Sequence, residues 1–493
     1  MTAVMVRELR EAHCHGVPRP VPDHPVIIQG GMGIGVSGWQ LARAVSMTGQ
    51  LGVVSGTALA HVLVRRLEID NPDPALEAAM GWFPFPDVVE RVRRRYLRPH
   101  RAGRKRFSSI PMHSLSPPAH LTELTVLASF VEVALAKRDH GGLVGINLLE
   151  KVTVPNLPSL YGAMLAGVDY VLMGAGVPRA IPAVLDQLAT HQAASLAVSV
   201  IGGGHESLRF DPGVLAGGVD LPPLPRPYFL AIVSSDVLAT VLARKSSGRV
   251  DGFVVEGPEA GGHNAPPRAT AATGPNGDPL YGARDLPDLG RIRALGLPFW
   301  LAGSYATPER LAEARRLGAH GVQVGTAFAL CRESGMRDDL KASLLRLSAQ
   351  GDVAVRTDPR ASPTGMPFKV VRLSGTLSDG AIYAERKRRC DVGYLRQPFR
   401  TADGRVGYRC PAEPERDFQA KGGEPADAAN RMCLCNGLLA TIGLGQRHAS
   451  GYDEPPVATA GQDLRTIARF SDGSGSPYSA ADVVTRLLTA ITG

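Results

Sequence analysis

Gly252-Phe253-Val254-Val255-Glu256-Gly257-Pro258-Glu259-Ala260-Gly261-Gly262-His263-Asn264 is a short β-branched run that stops in glycines, with a histidine directly behind them. A buried strand would deliver such a loop to one rim of a sheet. The paired Gly261 and Gly262 let a planar ligand approach the backbone closely. His263 carries the one side chain here whose ordinary pKa suits proton transfer near neutrality. Taken alone, the same residues also read as a strand, a turn and a solvated histidine.

The pattern recurs on both sides of this stretch. Short apolar runs at 25–29, 52–56, 142–148, 169–174, 228–233, 298–303 and 321–326 join 252–256, and helical patterns follow most of them. Near-continuous apolar strands alternating with helices indicate a parallel sheet covered on both faces. Eight such units predict an α/β (β/α)8 TIM barrel over residues 25–335, with a doubly wound open sheet as the alternative. The strands end in small or polar residues: Gln29, Ser55, Asn147, Gly174, Ser234, Glu256, Gly303 and Gly325. In a barrel those ends form the catalytic rim. Ser37 is the expected N-cap of a helix over 39–47, and Thr307 followed by Pro308 opens another. The turn Gly30-Gly31-Met32-Gly33-Ile34-Gly35 does not give Gly-x-Gly-x-x-Gly, so no dinucleotide fingerprint is read there.

Segments outside the rhythm are expected to be additions. Residues 1–24 read as a lead-in, 57–140 and 191–226 as insertions, the latter irregular, and 264–284 as a Pro/Gly-rich loop. Residues 336–493 read as a C-terminal loop and helix appendage packed on the barrel.

The chain has 493 residues, 44% hydrophobic and 20% charged, which fits a globular protein with a large core. No continuous apolar run reaches the roughly 18–20 residues of a membrane helix, and the first residues lack a signal-peptide pattern. A cytoplasmic protein that does not engage membranes is the expectation. The formal charge is +8. Much of the excess lies in 91–106, where Arg91, Arg93, Arg94, Arg95, Arg98, Arg101, Arg104, Lys105 and Arg106 cluster. No aromatic ladder accompanies them, which argues against nucleic acid. The patch is either a solvated surface or a dock for an anionic group such as phosphopantetheine, coenzyme A or an acyl carrier protein.

Two strand ends suit a phosphate. Gly303-Ser304 and Gly325-Thr326 would present backbone N–H groups and two hydroxyls where the last two loops of a barrel converge. Gly31 and Met32 could pass beneath a flavin ring, and Asn147 offers donor and acceptor to its pyrimidine edge.

These pieces together resemble the nitronate monooxygenase family, also called 2-nitropropane dioxygenase-like flavoproteins. The matching motifs are Pro25-Val26-Ile27-Ile28-Gln29-Gly30-Gly31-Met32, Met173-Gly174-Ala175-Gly176-Val177-Pro178, Glu259-Ala260-Gly261-Gly262-His263, Trp300-Leu301-Ala302-Gly303-Ser304 and the run from Gly318 to Phe328. The resemblance implies a barrel holding FMN without a covalent link. It also implies that Glu256, Gly261 and Gly262 lie against the flavin and that His263 is the catalytic base. Members that oxidise nitronates or nitroalkanes use O2 and release a carbonyl compound and nitrite. Two positions depart from the family pattern. Glu256 stands where glutamine is common, and a carboxylate there would disfavour an anionic ring unless protonated or turned away. Ser304 stands where a second glycine is usual.

Cys390, Cys410, Cys433 and Cys435 sit on loop-like, glycine-rich sequence. They are a candidate zinc or iron–sulfur ligand set, although the spacing lacks Cys-x-x-Cys pairs. The other reading is four reduced thiols, some buried as small hydrophobes. Three functions are carried forward. The first is an FMN-dependent nitronate monooxygenase-like oxidoreductase, a monooxygenase acting on a small molecule with O2. The second is an FMN-dependent NAD(P)H enoyl reductase acting on acyl-carrier or CoA thioesters. The third is a non-catalytic flavin-binding protein.

Overall fold

In the computed structural model, which describes residues 24–96, 106–268, 272–448, 450–471 and 477–492, all eight expected strands form and close into one ring. They are β1 (Ile27–Gln29), β2 (Gly52–Ser55), β3 (Val144–Leu149), β4 (Tyr170–Gly174), β7 (Tyr228–Val233), β8 (Gly252–Glu256), β9 (Phe299–Ala302) and β10 (Gly321–Val324). Every pairing around the order β1-β10-β9-β8-β7-β4-β3-β2 is parallel. A parallel bridge between Ile28 and Leu51 joins the two ends, with Gln29 N–H donating to Leu51 O at 2.9 Å and Leu51 N–H to Ile27 O at 3.1 Å. The open-sheet alternative is thereby excluded.

Period-two alternation builds the core. Ile28, Val53, Leu172, Leu230, Val254 and Trp300 form a buried cluster filling the barrel, while Ile27, Val54, Val171, Phe229, Phe253, Val255 and Leu301 belong to the outer core under the helices. Gly321 marks the tightest approach: a Cβ there would lie 1.8 Å from Val26 O. Thr307 caps the helix Pro308–Arg316 as expected, accepting from Arg310 N–H. Ser37 does not cap Trp39–Ser46; Gly38 occupies that place with no side-chain bond. The Ser37 hydroxyl instead donates to Gly30 O and accepts from Met32 N–H, both at 2.9 Å, and so shapes the turn after β1.

The second insertion holds more structure than expected. Among the described residues, 57–140 contains four helices, Leu59–Glu68, Pro74–Gly81, Pro86–Tyr96 and Ala119–Ala136. The last is long and apolar enough to cross a membrane by length and composition, but most of it is buried, packed against its neighbouring helices. Residues 191–226 are not irregular. They fold as an antiparallel hairpin of β5 (Ala194–Ser199) and β6 (His205–Phe210), whose alternating apolar residues face the core. Of the basic patch, Arg91 is clamped by Glu123 at 2.8 Å, while Arg98, Arg101, Arg104 and Lys105 lie outside the described residues, as do residues 1–23 with Cys14.

Residues beyond 336 wrap the barrel instead of forming a detached lobe. The final helix Ala480–Thr492 packs on Pro308–Arg316 and Trp39–Ser46. The 3-10 segment Gln462–Phe470 packs on Asp338–Gln350 and the turn Thr326–Ala329. An antiparallel pair, β11 (Val355–Asp358) and β12 (Phe368–Val371), reaches the rim at the carboxyl ends of the strands.

Candidate active site

The principal cavity opens at that rim. It holds about 230 Å3. Gly30, Gly31, Met32, Asn147, Glu256, Gly261, Gly262, His263, Gly303, Ser304, Gly325 and Thr326 all line it. These barrel residues selected from the sequence therefore face one space, brought there from five different strands.

The glycines keep its walls low. A Cβ on Gly31 would sit 2.3 Å from Asn147 Cβ, so only glycine lets the first turn cross the third strand. Gly303 has φ +101°, and Ser304 follows at φ +59°, left-handed for a residue with a side chain. Thr326, buried under the last turn, accepts the N–H of Gly461 at 3.0 Å. This hydroxyl, expected to reach a phosphate, is thus shared with the C-terminal extension. Asp463 lines the same end, and burial pushes its carboxyl up, towards the neutral form.

His263 is held on three sides by the extension. Its backbone bridges Phe368 of β12, with Lys369 N–H donating to Gly262 O at 2.8 Å and Asn264 N–H to Pro367 O at 2.9 Å. Its ring packs edge-on against Phe368 with centroids 4.8 Å apart. Its Nε2 lies 2.7 Å from Ser362 Oγ. Burial, then the nearby Lys151 charge, holds its pKa well below the ordinary histidine value, so the imidazole is neutral at pH 7. Glu256 also faces the cavity. Burial raises its carboxyl to about 7, against the opposing pull of Lys151, so near neutrality a large fraction keeps its proton. The charge conflict raised by the sequence is eased in this way, without the side chain turning out of the cavity.

Several lining residues were missed. Gln323 interrupts the apolar strand β10; its Oε1 is buried without a partner and the side chain lines the cavity. The polar residue in an apolar run was a visible clue. Phe368, Tyr394, Leu395, Leu434, Cys435, Leu438, Thr459 and Asp463 all come from the extension, and nothing in their spacing announces a common destination.

The four extension cysteines do gather, lining one small crevice. Yet among the described residues no group of three or more His, Cys, Asp or Glu is arranged to hold a metal ion. Burial pushes the thiol of Cys390 up to about 12 and raises those of Cys410, Cys433 and Cys435. Metal ligation needs thiolates; burial favours the protonated form of all four, and the geometry of the described residues adds no support to the zinc or iron–sulfur reading.

The residues fit the FMN that the sequence resemblance implies. Bare glycine backbone at four strand ends leaves room for a flat ring and a phosphate. The unpartnered Gln323 Oε1 supplies an acceptor for a ring N–H, and Asn147 is bonded only weakly, its Nδ2 3.4 Å from Leu148 O.

Comparison with known proteins agrees with this geometry. Residues 229–360, from β7 through His263 to β11, match the family model of nitronate monooxygenase. A curated relative from Mycobacterium tuberculosis, (3aS,4S,5R,7aS)-5-hydroxy-7a-methyl-1-oxo-octahydro-1H-indene-4-carboxyl-CoA dehydrogenase, is 32% identical over 145 residues, 29% of this chain and 36% of its own. The match thus spans about a third of that relative's length. Among solved structures, FabK from Thermotoga maritima aligns at TM-score 0.49 and 16% identity over 95% of this chain and 92% of its own. Nitroalkane oxidase from Streptomyces ansochromogenes aligns at TM-score 0.44 and 15% identity, covering 94% and 95%.

Proposed function

We propose that this chain, whose residues 229–360 match the family model of nitronate monooxygenase, is an FMN-dependent oxidoreductase that oxidises alkyl nitronates or nitroalkanes with O2 to a carbonyl compound and nitrite. The observation carrying the reading is His263, a neutral imidazole on the rim of a glycine-walled cavity, oriented by Ser362. A neutral imidazole takes a proton from the carbon beside a nitro group, where a protonated one cannot. FMN, when bound, supplies the two-electron acceptor. Gly31, Met32, Asn147 and Gln323 would hold its ring, and Gly261, Gly262, Gly303, Ser304, Gly325 and Thr326 its phosphate end. Glu256 near half-protonation adds little net charge beside the ring.

A second reading has an observation of its own. The Mycobacterium tuberculosis relative is named for a carboxyl-CoA substrate, which favours redox chemistry on a CoA or acyl-carrier thioester, with NAD(P)H as donor in the reductive direction. The basic residues at 91–106 would then meet the carrier's phosphates.

One anaerobic experiment separates them. The FMN-loaded protein is mixed with a nitronate, or separately with NADPH or NADH, and bleaching of the flavin absorbance is followed. Rapid bleaching by the nitronate alone is expected; bleaching by the nicotinamide alone transfers the proposal to the thioester reading. His263→Asn should keep FMN and lose nitroalkane oxidation by about 100-fold or more. Full nitroalkane activity in that variant removes His263 from the base role.

A further inference from the structure

Behind His263 a row of polar side chains leads away from the cavity. Ser362 Oγ lies 2.7 Å from His263 Nε2 and 2.8 Å from Thr364 Oγ1. Thr364 Oγ1 in turn lies 3.5 Å from Lys151 Nζ, which also stands 3.3 Å from Met366 Sδ. Lys151 follows strand β3, His263 follows β8, and the two hydroxyls come from the extension between β11 and β12. From this geometry we infer that Lys151, acting through Thr364 and Ser362, sets which nitrogen of His263 carries the proton.

The donor count gives the reason. Thr364 Oγ1 accepts from Met366 N–H at 3.4 Å, and Ser362 Oγ accepts from Thr364 N–H at 3.2 Å. An ammonium on Lys151 can only donate. With that charge present, the Thr364 hydroxyl passes its proton to Ser362, and Ser362 donates to His263 Nε2. The ring proton is then on Nδ1, and His263 has no free lone pair for a substrate proton. A neutral amine on Lys151 can accept, and the row reverses. Nε2–H now donates to Ser362, Ser362 to Thr364, and Thr364 to Lys151, leaving Nδ1 as the base. When Nδ1 takes a proton, one proton can leave along the row to the Lys151 amine, and the imidazole returns neutral. No electrons move in this step. Burial lowers Lys151 to about 7, and the Glu256 carboxylate opposes that shift, so the reversal falls in the physiological range. Glu256, at the end of β8, is the charged group bearing on Lys151, and Lys151 the one bearing on His263.

Lys151 is thus a positioning residue. The inference rests on the reading that His263 works on the cavity's ligand, but its test does not. In protein carrying 15N-labelled histidine, the two ring nitrogens of His263, identified by their loss in His263→Asn, report the tautomer directly. The wild type should pass from Nδ1–H to Nε2–H with a midpoint near pH 7. Lys151→Arg, charged at every accessible pH, should hold Nδ1–H throughout and lower kcat/KM at pH 8 by about tenfold or more, with less effect at pH 6. Thr364→Val should abolish the pH dependence of the tautomer. A wild-type ring whose tautomer ignores pH, or a Lys151→Arg protein that still switches near pH 7, overturns the inference. If the switch is present but His263→Asn retains full activity, the relay stands and the proposed base role falls.

Discussion

The barrel and the extension differ in how they contribute to the same cavity. Eight strands carry repeated apolar runs, and each brings its rim residue to the top by the same backbone geometry. The extension has short pairs, single turns and loops, yet it supplies Ser362, Phe368, Thr459 and Asp463 around the histidine and the Thr326 end of the cavity. Repetition makes a barrel from local pattern. A wall assembled from isolated segments depends on contacts between residues some 100 to 200 positions apart, such as His263–Ser362 and Gly262–Thr459.

The comparison breaks most severely at Phe368. It is 3% exposed and packs both on His263 and in the extension's own apolar cluster. Phe368→Ala should cost about 3–5 kcal/mol in denaturant unfolding and abolish substrate-driven flavin bleaching. A variant that loses stability but keeps full turnover would make the extension a scaffold with no part in the site.

Glu256 tests the barrel side, with a smaller effect. Its carboxyl is raised to about 7, so the proton-bearing form is the one the fold favours. The stability this contributes is complete below about pH 4, the unfolded carboxylate value, and is lost as pH rises through about 7. Glu256→Gln should therefore be more stable than wild type at pH 8, by on the order of 1–3 kcal/mol, and equal to it at pH 4. Thermal melts at both pH values decide it, and equal stability at pH 8 would mean the carboxylate is solvated. The smallest effect is expected at Thr459, whose hydroxyl accepts Gly262 N–H at 3.3 Å. Thr459→Ala should cost about 0.5–1.5 kcal/mol and speed hydrogen exchange at Gly262, while leaving the amides of β8 unchanged.

The difference in legibility follows the same line. Val254-Val255-Glu256 reads as a strand because its burial is continuous, and Gly261-Gly262-His263 as a site because glycine and histidine have few equivalent uses. Ser37 was legible as a polar residue near a helix start, but its bond to Gly30 O depends on where the first turn folds back. The hairpin β5–β6 reads as irregular because its strands are half exposed and flanked by Gly202-Gly203-Gly204. The cysteines converge as their clustering suggests, and burial, which no spacing reveals, favours their protonated form.

From the sequence alone came the barrel, its rim and the chemical types gathered there, since strand period, glycine and histidine act through the local backbone. The tertiary structure decided the protonation of that rim. Whether His263 is neutral, Glu256 holds its proton and Lys151 lies near its midpoint depends on desolvation and on the mutual charges of these side chains. Part of that burial is made where Phe368 and Ser362 of the extension pack on His263, and charge and burial act through space regardless of separation along the chain.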